Sequence, residues 1–107
     1  FFTFFFTAGI FADTITPTHE DVNGKETETV TLKCSYETNS EFIWLYWYKQ
    51  NPNSGPQFLL YKGARSRSEG STPADRRLKA ETTRYTTELT IRGLKLSDSA
   101  LYHCALR

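Results

Sequence analysis

From residue 28 onward the chain alternates apolar and polar positions in short runs broken by turn residues, and no stretch holds a helical period. Alternation of period two marks strands that bury one face. Over residues 28–36, Val30, Leu32, Cys34 and Tyr36 point one way, and Thr29, Thr31, Lys33 and Ser35 the other. Asn23-Gly24 is the predicted turn ahead of this strand. Residues 42–50 (FIWLYWYKQ) place Ile43, Leu45 and Trp47 on one face and Trp44, Tyr46, Tyr48 and Gln50 on the other. Both faces are largely apolar, so this strand is expected to be covered on two sides. The run from Asn51 to Pro56 ends it. A third strand is predicted over residues 57–62, a polar loop over 63–76 and a short strand over 77–81. Alternation returns over 85–91 with Leu89 and Ile91 inward, and a connecting turn follows over 93–99. A last strand over 100–105 places Ala100, Tyr102 and Cys104 on one side. Many short strands at such spacing predict an all-β sandwich or barrel.

The 107 residues allow one domain. Residues 1–12 (FFTFFFTAGIFA) are apolar, aromatic and uncharged, and they close on a small residue before Asp13. They read as the tail of a secretory signal; a hydrophobic first strand is the alternative. The stretch is shorter than the roughly 20 residues needed to cross a bilayer. The two cysteines, Cys34 and Cys104, either pair or are unrelated thiols. A secretory route leads to an oxidising compartment, where a Cys34–Cys104 disulfide is expected, stabilising by roughly 4 kcal/mol. Both lie on inward faces of strands far apart in sequence, as a pin between two stacked sheets would.

Net charge is +1, too small for a field that draws in nucleic acid or an anionic membrane. Acids gather over residues 13–41 and bases over 62–79, where Lys62, Arg65, Arg67, Arg76, Arg77 and Lys79 outnumber Glu69 and Asp75. These bases are either solvated or a contact surface. No aromatic interleaves them, which argues against a groove for single-stranded nucleic acid. Asp98, Ser99 and His103 are near in sequence, but a turn and an outward strand position do not bring nucleophile, base and acid together. His19 and His103 are too few for a metal site. No catalytic residue, metal, cofactor or small-molecule substrate is expected.

Cys34, Trp47, Leu89 and the run Asp98-Ser99-Ala100-Leu101-Tyr102-His103-Cys104 resemble the immunoglobulin variable fold from Asp13 to Arg107. The resemblance implies a V-type sandwich of two antiparallel sheets with Greek-key connections, and a core of Trp47, Leu89 and Tyr102 around the disulfide. It implies a tyrosine corner at Tyr102 and an Arg77–Asp98 ion pair. Trp47-Tyr48-Lys49-Gln50, Pro56-Gln57-Phe58-Leu59-Leu60-Tyr61, Glu88-Leu89-Thr90-Ile91 and Cys104-Ala105-Leu106-Arg107 are similar to a T-cell receptor alpha or delta variable segment. LKLSDSALYHCALR also resembles teleost receptors. The family's last strand, with Phe-Gly-x-Gly, lies outside this sequence, so the resemblance is to a V segment without its joining segment. The edge beside residues 100–105 is therefore expected to be open and sticky, and the chain alone poorly stable or prone to aggregate.

The resemblance further implies two surfaces. Tyr48, Gln50, Pro56, Leu59, Leu101 and His103 would pair with a beta-type variable domain; His103 replaces the family's usual tyrosine. The loops Thr38, Asn39, Ser40, Glu41, Phe42, Ile43, Trp44, then Lys62, Gly63, Ala64, Arg65, Ser66, Arg67, then Ala105, Leu106, Arg107 would meet peptide on a major histocompatibility molecule. Such a chain sits at the cell surface and joins invariant signalling subunits through regions outside this sequence. An innate regulatory receptor with a V-like ectodomain, and an antibody light-chain segment, are the alternatives.

Overall fold

The computed structural model describes residues 2–6, 13–18, 21–52 and 55–107, with Phe2–Phe6 and Asp21 described by backbone alone. Nine strands run in the order β1 (Phe2–Phe6), β2 (Thr14–Pro17), β3 (Asp21–Val22), β4 (Val30–Glu37), β5 (Phe42–Gln50), β6 (Gln57–Arg65), β7 (Leu78–Thr82), β8 (Thr86–Ile91) and β9 (Ala100–Leu106), with a 3-10 turn at Leu96–Asp98. They form a five-stranded sheet, β3-β1-β9-β5-β6, against a four-stranded sheet, β2-β4-β8-β7. This is the two-layer solution for strands that each carry one apolar face.

Alternation in β4 is complete: Val30, Leu32, Cys34 and Tyr36 are buried and the residues between them exposed. In β5, Ile43, Leu45 and Trp47 face the core, while Trp44, Tyr46 and Tyr48 are half-buried on the other face. The core is one cluster drawn from both sheets, with Ile15, Leu32, Leu45, Trp47, Leu89 and Ile91 fully enclosed.

Three local expectations change. The turn before β4 falls at Lys25–Glu28, closed by the Glu28 amide donating to the Lys25 carbonyl (3.1 Å), with Thr27 at φ 70°. Gly24 instead permits close packing, since a Cβ there would lie 2.5 Å from Leu94 and 2.6 Å from Val30. Strand β6 runs on to Arg65 where a loop was expected, because β5 continues as its ladder partner: Ile43 opposes Ala64 and Phe42 opposes Arg65. The edge of β9 is not open. β1 lies along it in parallel register, from Phe2 opposite Ala100 to Phe6 opposite Cys104, and β3 pairs with the far side of β1. A row of unpaired N–H and C=O groups is a template for any extended segment within reach. Of the leader read over residues 1–12, Phe1 and residues 7–12 lie outside the described residues, as do His19, Glu20, Asn53 and Ser54.

Candidate functional site

Two links hold the sheets in register beneath the candidate surfaces. Cys104 opposes Trp47 in one sheet, and Cys34 opposes Thr87 in the other. Cys34 and Cys104 are joined by a disulfide. Beside it, the indole N–H of Trp47 donates to the Thr87 hydroxyl at 3.2 Å, with both side chains fully buried. Thr87 is a polar residue in the core because that N–H needs an acceptor.

The end of the sandwich that carries the 3-10 turn is closed by Arg77. Its guanidinium donates to both Asp98 oxygens (2.7 and 2.9 Å) and both Asp75 oxygens (3.2 and 2.8 Å). Asp98 also accepts from the Lys95 amide at 2.9 Å. Hydrogen bonds from Arg77 hold Asp98 below the usual carboxylate range. Asp75 is held low as well, first by the Arg77 amide and then by its guanidinium. Tyr102 donates its hydroxyl to the Asp98 carbonyl at 2.7 Å, and burial pushes that phenol up. Asp98 and His103 thus serve separate contacts, since the His103 ring meets Gln50 Oε1 at 3.1 Å.

At the opposite end three loops converge: 38–41 after β4, 66–69 after β6, and 83–85 before β8. Arg65, at φ 60°, donates from Nη1 to the Thr38 and Ser40 carbonyls (both 2.7 Å) and from Nε to the Arg84 carbonyl (3.0 Å). Its guanidinium carbon lies 5.5 Å from the ring centres of both Tyr36 and Tyr85. Arg84 reaches Glu41 with two hydrogen bonds (3.2 and 2.8 Å). The Ser66 amide donates to the Glu41 carbonyl at 2.8 Å. Arg67 covers Trp44 (4.8 Å) and Phe42 (5.7 Å) and pairs with Glu69 (3.1 Å), which also accepts from the Trp44 indole at 3.2 Å. Phe42 stands 61 % exposed at the tip. Asn39, Ser40 and Ser66 are exposed around it.

Ile43 and Ala64, grouped with the loops from sequence, are each 3 % exposed, and Gly63 is buried. Ile43 and Ala64 are strand residues that face the core, while Gly63, opposite Trp44 on the other face, is covered by Arg67, and that removes all three from the loop surface. Lys62 is half-buried opposite Leu45 in the ladder. Ala105 and Leu106 lie on β9, with Leu106 packed against the core, and Arg107 exchanges both backbone hydrogen bonds with Trp44 at 2.9 Å. Arg84 and Tyr85 are not among the loop residues expected from sequence. They come from distant stretches of chain, and no periodic signal in the sequence ties them to residues 38–44.

The outer face of the five-stranded sheet is aromatic. Tyr48 opposes His103 and Gln50 opposes Leu101, so these four share a neighbourhood. Tyr46 contacts Tyr61 (5.4 Å between ring centres) and Tyr48 (6.3 Å), Tyr61 contacts Trp44 (5.2 Å), and Tyr48 contacts Phe58 (5.9 Å). Tyr61 joins this face opposite Tyr46, and Phe58 joins it through a bulge after Trp47: Trp47 opposes Leu60, but Tyr48 opposes Phe58. Leu59 falls at the bulge and packs against the core, while Pro56 is exposed. Burial pulls His103 below the ordinary imidazole value, so the ring is neutral at physiological pH.

Among the described residues no cluster of His, Cys, Asp and Glu could hold a metal ion, and no helix is long and apolar enough to cross a membrane. The sequence matches the immunoglobulin V-set domain family over residues 17–107. It is 38 % identical over 97 residues to human T cell receptor alpha variable 14/delta variable 4, covering 90 % of this chain and 82 % of that protein. Human T cell receptor alpha variable 38-2/delta variable 8 is 31 % identical over 96 residues, covering 90 % and 82 %. Human T cell receptor beta variable 13 is 38 % identical over 78 residues, covering 73 % and 61 %.

Proposed function

The chain belongs to the immunoglobulin V-set family and is an antigen-recognition variable domain of the T-cell receptor alpha/delta type, and on that premise we propose how its two surfaces divide the work. The aromatic face built by Tyr46, Tyr48, Phe58 and Tyr61, with Gln50, Leu101 and His103 beside it, pairs with a beta-type variable domain. An apolar sheet face of this extent on a receptor domain calls for a partner. Tyrosines suit that role because each ring carries a polar tip and settles at an interface with little loss of rotamer freedom.

The loop end then faces peptide held by a major histocompatibility molecule. Phe42 is the exposed aromatic anchor there, and Ser40, Glu41, Ser66 and Arg67 are polar contacts around it. The whole receptor acts at the cell surface, on its extracellular side. The observation that carries this reading is the aromatic ladder, which runs across the sheet face to Trp44 at the loops and so joins the two surfaces.

The test is co-expression of the complete receptor chain bearing this segment with a beta chain. Tyr48→Asp is expected to lower the surface level of the pair at least about tenfold, because it buries an unpaired charge at the interface. Unchanged surface pairing would sink the proposal.

A further inference from the structure

We propose that Arg65 is a positioning residue that sets the shape of the loop at 38–41 from behind, and that the neighbouring Arg67 is the arginine presented outward. The proposal rests on reading this end of the domain as the recognition surface.

By sequence the two arginines look alike, as bases one residue apart in a polar stretch. Their surroundings differ. The Nε and Nη1 groups of Arg65 donate to three backbone carbonyls, those of Thr38, Ser40 and Arg84, on two loops far apart in the chain. Its guanidinium carbon lies over the rings of Tyr36 and Tyr85. A planar fork of donors can satisfy several carbonyls at fixed angles, which a single ammonium cannot. The carbonyls of Thr38 and Ser40 both turn toward one nitrogen, Nη1. That arrangement curls the loop around the guanidinium and directs Glu41 and Phe42 away from it.

Position 65 is also a non-glycine residue in the left-handed region. Such a conformation persists only where its surroundings over-determine it, and here the contacts of the side chain do so. Around Ser40 the loop is held otherwise by local bonds, the Ser40 amide to the Thr38 hydroxyl and the Phe42 amide to the Ser40 hydroxyl (both 3.2 Å), and at Glu41 by the Ser66 amide and Arg84. The Arg67 guanidinium, by contrast, meets the side chains of Phe42, Trp44 and Glu69.

Amide hydrogen exchange on the complete chain, without ligand, separates the two roles. In Arg65→Gln the Ser40 and Phe42 amides are expected to exchange about tenfold faster or more, while strand amides such as Leu32 and Leu89 keep their rates. Arg65→Lys should not restore them, and Arg67→Gln should leave them as in the parent. If Arg65→Gln fails to fold, Arg65→Lys carries the test by the same criteria. Parent-like rates at Ser40 and Phe42 in both Arg65 variants would overturn the proposal, as would an equal acceleration in Arg67→Gln. So would weakened antigen binding with those rates unchanged, since Arg65 would then touch the ligand. Because the exchange measurement uses no ligand, its outcome is independent of whether the recognition reading itself holds.

Discussion

Arg77 and Arg65 head two clusters at opposite ends of the sandwich, and they use the same guanidinium differently. Arg77 is forked onto two carboxylates, and the Asp98 side chain is only 5 % exposed. Arg65 is forked onto neutral carbonyl oxygens of exposed loops. The first cluster matches charge with charge at Asp98, a buried carboxylate, and an unmatched charge there is costly. The second leaves the ionic pairs at the loop end, Arg84–Glu41 and Arg67–Glu69, in solvent. The closed end thus carries stability and the loop end carries shape. A loop can then vary in sequence without endangering the frame beneath it.

That division can be broken in three ways. The largest expected effect is from Asp98→Ala, which strands Arg77 against one partially exposed carboxylate and removes the acceptor of the Lys95 amide. Urea unfolding should show a loss of about 3 kcal/mol. A loss too small to resolve would mean that the closed end is not where stability resides. A smaller effect is expected from pH. Asp98 and Asp75 have folded values below the unfolded value of about 3.9. Their contribution is therefore complete above that value and is lost as pH falls through the lowered folded values. Unfolding free energy should drop as pH falls below about 4, and the drop should shrink in Asp98→Asn. An identical drop in the variant would assign the acid limb to other carboxylates. The smallest effect is expected from Glu41→Gln, which breaks a solvent-exposed pair that salt also screens. The urea midpoint should stay within its scatter at low and high salt, and a clear shift would place part of the frame's stability in the loops.

Much of this was legible in sequence, for a definite reason. Strands β4 and β8 each bury one face, so polar and apolar residues alternate and name the inward side, Cys34 with it; in β5 and β9 both faces are largely apolar, and the period of two alone put Trp47 and Cys104 inward. The end of β6 was misread because Gly63, Ala64 and Arg65 resemble a loop in composition, while their pairing is supplied by β5 across the sheet. Gly24 was read as a turn residue, although its smallness serves Leu94 and Val30. The bulge after Trp47 moved Phe58 to the outer face and Leu59 toward the core, a shift of register that alternation cannot announce. The role of Arg65 was hidden most deeply. It depends on Thr38, Ser40, Tyr36, Arg84 and Tyr85 meeting in space, and nothing local in the chain records that meeting.

Tension is the condition under which the Cys34–Cys104 bond changes behaviour most. The two residues are 70 apart in the chain, a length that would draw out to roughly 240 Å at about 3.4 Å per residue. While the bond holds, a pull on the two ends cannot reach that length. Only the segment ahead of Cys34, with β1, β2 and β3, and the last residues of β9 can peel away. Such a domain yields by the length of its leading segment and then goes taut, passing load along the chain as a rod would and not absorbing it as a spring would.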